Sequence, residues 1–259
     1  MMYCDSTREQ RFYTLFDDYF DLETTSARRY TDDEYTLDRM FPLAKAAGYP
    51  ERAAKIIHVA GTKGKGSTVH FLGALLRAAG QCCGAFTSPH LLTIRERFLI
   101  DGKPVSYEEL LAAAHGFEAE LRRRHLKPTL FEIMTILALL LFRRRSCDYA
   151  LMETGIGGLL DATNYISDPV CTVITSVSFD HVQLLGGSIE EIAAQKAGII
   201  KPNVPVICGK QRFAEAEEVL RRTAEEKGAP FIPASRYTPP PLPQLGVLPG
   251  FQEKNLQTA

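Results

Sequence analysis

The feature that most constrains the fold of this 259-residue chain is a regular alternation of short apolar runs with longer amphipathic segments. Apolar runs of this length, bounded by Gly, Pro or Asp, are typical of strands buried on both faces of a parallel sheet. Strands that alternate with helices predict a doubly wound, mostly parallel α/β sheet, whose ligands bind at the carboxyl ends of the strands. The runs are KIIHVA (55–60), CGAF (83–86), DYALME (148–153), PVCTVI (169–174), VPVIC (204–208) and PFIPAS (230–235).

The segments between these runs carry helical signals. Val69, Leu72 and Leu76 share one helical face, and Ser106 with Glu109 forms a candidate capping box at the start of another helix. The segment that begins at Leu130 is apolar nearly all round, which indicates a buried helix. Two further helices are expected over about 188–199 and 214–227.

Composition narrows the class of protein. A formal net charge of −1 gives no electrostatic reason to expect nucleic acid. The longest apolar stretch, 133–142, is too short to cross a bilayer, and no signal peptide is recognisable. The six cysteines show no CxxC spacing, so reduced thiols are expected. We therefore expect a cytoplasmic protein, a monomer, that binds neither membrane nor nucleic acid.

A glycine-rich loop follows the first strand and precedes a helix. Glycines allow backbone N–H groups to point into one concavity, the helix N-terminus adds partial positive charge, and Lys65 adds a full charge. The spacing is shorter than GxxxxGK[ST], since Val59 stands where that pattern has its first glycine. The loop still predicts a phosphate cradle. Its residues are Gly61, Thr62, Lys63, Gly64, Lys65, Gly66 and Ser67.

Two segments interrupt the alternation. Residues 21–35 are polar and indicate a loop or a frayed helix, and residues 238–250 are proline-rich and indicate a stiff connector. These patterns predict an ATP-binding domain over 1–237, then a connector and the start of a truncated remainder over 238–259. With nothing to cap them, residues 238–259 are expected to be mobile.

An ordered set of motifs resembles one family. AGTKGKGST, TSPHL, RERFLIDGKPVS, FEIMT, METGIGGLLDATN, SFDHVQLLGGSIEEIAAQKAGIIKP and GFQEKN are similar, in this order, to segments of the Mur ligase superfamily, in particular of folylpolyglutamate and dihydrofolate synthases. The resemblance implies the central-domain fold of that superfamily, with the second α/β domain absent. It also implies ATP-dependent joining of L-glutamate to a folate carboxylate through an acyl phosphate, with dihydropteroate as a further candidate acceptor.

The resemblance also implies roles for single residues. Ser88, Glu153 and His181 correspond to Mg²⁺ ligands, with K⁺ as a further candidate cation, and Asn255 corresponds to an ATP contact. Lys196 corresponds to a carbamylated lysine that helps to hold a second metal. Lys65, Glu153, His181 and Lys196 thus form the expected catalytic set. Of these, Glu153 is also singled out by its position, because a carboxylate at the end of an apolar strand needs a partner.

The resemblance assigns the contacts with the folate substrate to two segments, residues 129–132 and residues 160–162. By resemblance the substrate is contacted by Thr129, Leu130, Phe131, Glu132, Leu160, Asp161 and Ala162, although Asp161 after two glycines also fits an ordinary turn. The chain departs from the family over residues 21–39, where the family has a glycine-containing folate loop, and at three single positions. Leu159 replaces an arginine, Lys63 an asparagine, and Phe251 a histidine.

Two alternatives remain open at this stage. One is a Mur-type ligase that joins an amino acid to a cell-wall nucleotide precursor. The other is a nucleotide-binding module without catalysis, favoured by the early end of the resemblance and by Leu159. FEIMT and the GKGS loop, in place of a GKTT loop, favour folate.

Overall fold

The computed structural model describes residues 6–19, 36–237 and 249–259. Within these ranges the strands form one eight-stranded sheet in the order β4-β3-β2-β5-β1-β6-β7-β8, and all neighbours are parallel except the pairs β2–β3 and β3–β4. The strands are β1 Lys55–Ala60, β2 Cys83–Phe86, β3 Phe98–Ile100, β4 Lys103–Pro104, β5 Tyr149–Glu153, β6 Cys171–Ile174, β7 Val206–Cys208 and β8 Phe231–Pro233.

Helices cover both faces of the sheet, which confirms the predicted doubly wound architecture. The described helices are α1 Ser6–Leu15, α2 Met40–Ala46, α3 Lys65–Ala78, α4 Tyr107–Arg123, α5 Leu130–Arg144, α6 Val182–Leu185, α7 Ile189–Ala197, α8 Ala214–Glu226 and α9 Gly250–Thr258. None of them is both long and apolar enough to span a membrane.

Successive residues of the central strand enter different parts of the core. Ile56 packs with the buried residues of α5, whereas Ile57 and Val59 pack with Val69 and Leu72 of α3. This alternation follows from the two-residue period of a strand. A third cluster joins the end of β6 to α7 and α8. Both faces of the sheet are therefore covered by packed helices, and the edge formed by the carboxyl ends of the strands remains available for a binding site.

Local signals set the helix ends as predicted. Ser106 and Glu109 form a capping box at the start of α4, and Ser188 with Glu191 does the same for α7. The hairpin β3–β4 was not predicted. Its strands are too short to give a periodic signal, but the turn at Asp101 and Gly102, both with positive φ, is a typical hairpin turn.

The chain's last described segment differs from the expectation. Residues 249–259 are expected from the sequence to be mobile, but α9 packs against α3 and buries Thr258. The expectation is wrong there because Thr258 and Ala259 find contacts on the domain itself, near Gly209 and the α3 face of the sheet. The polar stretch 21–35 and most of the proline-rich stretch lie outside the described residues.

Candidate functional site

The glycine-rich loop connects the central strand to α3 at the carboxyl edge of the sheet. Gly61 has φ +148° and Gly64 has φ +88°, conformations that other residues rarely adopt. A Cβ on Gly61 would lie 1.8 Å from Oγ1 of Thr175. The glycine is therefore required both by backbone conformation and by the close approach of β6.

Residues after β6 fasten this loop. The hydroxyls of Thr175 and Ser176 donate to the carbonyl oxygen of Lys63 at 2.8 and 3.2 Å. Oγ1 of Thr62 donates to the Ser178 carbonyl at 3.1 Å. Thr175 is not among the site residues predicted from the sequence, although its position directly after the apolar run 169–174 was an available signal. The loop is held in place before any ligand binds.

Lys65 and Glu153 meet beside the start of α3. The Lys65 ammonium lies 3.9 Å from Oε1 of Glu153, whose residue is only 3% exposed. The backbone N–H of Ser88 donates to Oε2 of the same carboxylate at 3.4 Å. The structure therefore brings Ser88, Lys65 and Glu153 together, as expected from strands β1, β2 and β5 ending at one edge.

Burial changes the proton affinity of Glu153. Desolvation raises the pKa of its carboxyl to about 7, against the opposing charge of Lys65 and the Ser88 hydrogen bond. The buried cation Arg97 also opposes the rise, and its Nε donates to Nδ1 of His90 at 2.8 Å. Arg97 is not among the site residues predicted from the sequence, although it stands in the RERFLIDGKPVS motif, which was the available signal.

Lys196 is buried against the glycine-rich loop. Its ammonium donates a 3.0 Å hydrogen bond to the Gly61 carbonyl oxygen, and the residue is 2% exposed. Burial, and then the positive charge of Lys65, lower the pKa of Lys196 to about 7. The amine is therefore available without its proton near neutral pH.

His181 takes a different position from the other expected metal ligands. It has φ +46°, precedes α6, and leaves about half of its side chain exposed beside Asp180. In the part of the chain that the structure describes, no three His, Cys, Asp or Glu residues come together as a metal-binding group.

The oxygen donors of Glu153 and Ser88 still fit Mg²⁺, which takes one or two carboxylates and keeps several waters. Glu153 with Ser88 would hold it, and a role for His181 stays a prediction.

Asn255 lies at the phosphate loop, as the resemblance implies. A Cβ on Gly64 would lie 2.3 Å from Oδ1 of Asn255, so α9 places this amide directly over the loop. Its Nδ2 donates to Oε1 of Gln252 at 3.1 Å. Phe251 is exposed on the same helix. A contact between Asn255 and ATP stays a prediction.

The predicted folate segment of α5 also has a structural role. Thr129 and Glu132 form the capping box of this helix, and Arg39 lies 3.2 Å from the Glu132 carboxylate. Leu130 is buried in the core, and Phe131 packs on Phe86 with ring centroids 5.7 Å apart. These contacts explain the residue types without a substrate, so folate contacts stay predictions.

Asp161 is occupied by internal hydrogen bonds. Its carboxylate accepts from the backbone N–H groups of Gly155, Ile156 and Thr163 and from the Thr163 hydroxyl. The turn interpretation is thus the one that the structure supports. Leu160 and Ala162 flank this carboxylate and are half-buried, and Leu159 is exposed.

The sheet is mostly parallel, and its first strand runs through a glycine-rich loop into a helix, with a half-buried lysine paired to a buried glutamate beside it. These features define an α/β domain of the phosphate-loop class. The sequence allows a more specific assignment than this class. Residues 59–216 match the Mur ligase middle domain, and the chain belongs to that family.

Relatives with curated functions support this assignment. The chain is 44% identical over 200 residues to the dihydrofolate synthase/folylpolyglutamate synthase of Bacillus subtilis, covering 75% of this chain and 46% of that protein. It is also 44% identical over 181 residues to a folylpolyglutamate synthase of Arabidopsis thaliana, covering 68% of this chain and 29% of that protein. The chain thus spans less than half the length of these relatives.

Solved structures show the same fold. A structure described as an FPGS-AMPPCP-folate complex superimposes with a TM-score of 0.78 at 33% identity, covering 87% of this chain and 53% of that one. The folylpolyglutamate synthase of Mycobacterium tuberculosis, complexed with ADP and AMPPCP, gives a TM-score of 0.75 at 32% identity, covering 88% and 50%.

Proposed function

We propose that this chain is the ATP-binding part of a folylpolyglutamate synthase-type ligase, which joins L-glutamate to a folate through an acyl phosphate. The observation that carries the proposal is the loop of residues 61–67, with the pair of Lys65 and the buried Glu153 on one side and the buried Lys196 on the other. The comparison proteins support the substrate class, since their names include folylpolyglutamate synthesis and one structure holds both an ATP analogue and folate.

The residues of the loop account for nucleotide binding. Making an acyl phosphate brings a carboxylate and a triphosphate together, so the site has to neutralise negative charge and align the groups. The loop amides and the N-terminus of α3 face the phosphates, and Lys65 contributes a full charge beside them. Mg²⁺, when bound at Glu153 and Ser88, supplies further neutralisation of the phosphate oxygens.

Lys196 has the protonation behaviour that carbamylation requires. A free amine adds carbon dioxide by forming an N–C bond and releasing one proton, which leaves an anionic carbamate. Because its pKa is lowered to about 7, a large fraction of Lys196 is unprotonated at neutral pH. The carbamate would supply hard oxygen ligands for a second cation, Mg²⁺ or K⁺.

A ligand screen separates this proposal from its alternatives. Thermal unfolding is measured with ATP–Mg²⁺ alone and with ATP–Mg²⁺ plus a folate or a UDP-linked sugar, because a ligand bound to the folded state raises the midpoint. A folate-specific rise supports the proposal. A rise with the sugar nucleotide indicates a Mur-type cell-wall ligase, and a response to nucleotide alone indicates a binding module.

Further parts of the proposal concern the protein's surroundings. We propose a cytoplasmic monomer, supported by free thiols at the described cysteines 82, 83, 147, 171 and 208. We also propose that this chain by itself does not complete glutamate ligation, because it spans about half of its relatives' length. Glutamate-dependent release of ADP by the purified chain would contradict this last point.

A further inference from the structure

A fully buried histidine lies in the middle of the central strand. His58 is 0% exposed, and its Nε2 lies 2.7 Å from Oγ1 of Thr163. Its Nδ1 has no hydrogen-bond partner among the described residues. Burial, and then the charge of Lys201, lower the pKa of His58 to about 3, so the ring is neutral at physiological pH.

The Thr163 hydroxyl fixes the direction of this hydrogen bond. The same oxygen lies 2.5 Å from Oδ1 of Asp161, whose two carboxylate oxygens already accept three backbone N–H groups. A hydroxyl has one proton to donate, and here that proton goes to the carboxylate. His58 Nε2 therefore carries the proton and donates to Thr163, which leaves Nδ1 bare.

Asp161 connects Thr163 to the turn that follows β5. Its Oδ2 accepts from the N–H groups of Gly155 and Ile156 at 2.8 and 3.0 Å. Burial raises the pKa of Asp161, while these hydrogen bonds lower it. Because all four donors point at the two oxygens, the contacts fit the ionised carboxylate.

The turn over residues 155–158 lies between the two titratable groups of the site. It begins two residues after Glu153, and at its other end a Cβ on Gly158 would lie 2.8 Å from the Gln195 carbonyl and 3.1 Å from Cα of Lys196. The next N–H, of Leu159, donates to the Gln195 carbonyl at 2.7 Å. The conformation of this turn therefore sets how β5 and α7 approach each other.

We propose that His58 is a positioning residue, which through Thr163 and Asp161 holds the glycine turn of residues 155–158 in place between Glu153 and Lys196. The histidine lies on β1, which is paired with β5 on one side and β6 on the other, so these hydrogen bonds connect the turn to an interior strand of the sheet. The importance of this positioning for glutamate ligation rests on the proposed function. The chain of hydrogen bonds from His58 through Thr163 and Asp161 to the turn, here called the relay, does not.

The relay is tested by amide hydrogen exchange of the protein without nucleotide. Thr163→Val removes the hydroxyl, Thr163→Ser keeps it, and His58→Leu removes the donor. We expect the first and last changes to lower the protection of Gly155 and Ile156 amides by about tenfold or more, while the Leu151 amide of β5 is unaffected. Thr163→Ser should behave as wild type.

Other exchange patterns overturn the proposal. Unchanged protection of the Gly155 and Ile156 amides would show that the relay does not hold the turn. An equal loss of protection at Leu151 would indicate a general structural role, and a Thr163→Ser variant that behaves as Thr163→Val would show that the hydroxyl is not the group that matters. Because these substitutions put the central strand's packing at risk, nitrogen NMR of wild-type histidines provides a second measurement. A protonated Nε2 and a bare Nδ1 on His58 are expected, and a protonated Nδ1 contradicts the relay. If the exchange pattern is as expected but the wild-type protein does not bind ATP–Mg²⁺, the result counts against the proposed function and not against the relay.

Discussion

The Lys196 ammonium donates to the carbonyl oxygen of Gly61, so a buried lysine of α7 is joined directly to the first residue of the glycine-rich loop. The bond links two segments that are 135 positions apart in sequence. It also places an amine of lowered pKa beside the loop that is proposed to bind phosphate. Nucleotide binding and the protonation of Lys196 are therefore expected to depend on each other.

Carbamylation of Lys196 should depend on pH. The folded protein keeps the amine unprotonated above a pKa of about 7, so the carbamate should increase as pH rises from 6 to 8. Carbon NMR after addition of labelled bicarbonate measures it. Lys196→Arg should abolish the signal, and Lys254→Arg, an exposed lysine of α9, should leave it unchanged. A signal that persists in Lys196→Arg would assign it to another amine.

Gly64 is predicted to be the more sensitive of two glycines with similar backbone conformations. Gly64 has φ +88° and faces Asn255, whereas Gly80 has φ +78° and nothing within 4 Å of the position that a Cβ would take. Alanine at either site should cost about 1 kcal/mol or slightly more for the left-handed conformation. Denaturant unfolding should show an additional loss for Gly64→Ala, relieved by Asn255→Gly. Equal losses at both glycines would remove the argument for a close Asn255 contact.

His58 should make the protein less stable in acid. Its pKa falls from 6.5 to about 3 on folding, so the unfolded state binds the proton more tightly. The stabilising contribution is complete above pH 6.5 and is lost as pH falls toward 3. Between pH 7 and 4 the wild type should lose about 3 kcal/mol of unfolding free energy more than His58→Asn. Parallel stability curves for the two proteins would show that His58 does not carry this dependence.

Much of the fold could be predicted because it depends on local patterns. The buried runs ending at Ala60, Phe86 and Glu153 indicated the parallel strands, and Ser106 with Glu109 indicated the start of α4. The positions of Lys65 and Glu153 followed, since parallel strands end at one edge. The packing of α9 could not be predicted, because it depends on contacts with α3 that lie far away in sequence.

The interior of the site was less predictable for the same reason. Asp161 could be interpreted either as a substrate contact or as a turn residue, and only the four hydrogen bonds to its carboxylate favour the turn. Thr175 and Arg97 act on the loop and on Glu153 from separate parts of the chain. Thr175 lies outside the family motifs and Arg97 lies within one of them, RERFLIDGKPVS. Neither role could be assigned from the sequence, because both depend on contacts that form only in the folded chain.

Glu153→Gln should reduce the dependence of nucleotide binding on magnesium. The amide keeps the shape of the side chain but removes the negative charge that would hold the cation. Titrations of ATP with Mg²⁺ and with EDTA should therefore differ less in the variant than in the wild type. Circular dichroism serves as the folding control. An undiminished Mg²⁺ effect would indicate that Glu153 serves only to pair with Lys65.

The central claim is that residues 61–67 bind the phosphates of ATP, and calorimetric titration with ATP–Mg²⁺ tests it most directly. Lys65→Ala should weaken binding by about 1.5–3 kcal/mol, the usual contribution of a charged hydrogen bond. Lys63→Asn is the matched control, because this exposed side chain lies in the same loop and contributes its carbonyl to the structure. Loss of affinity in Lys65→Ala with near wild-type affinity in Lys63→Asn is the predicted result. Equal affinity for wild type and Lys65→Ala would contradict the account.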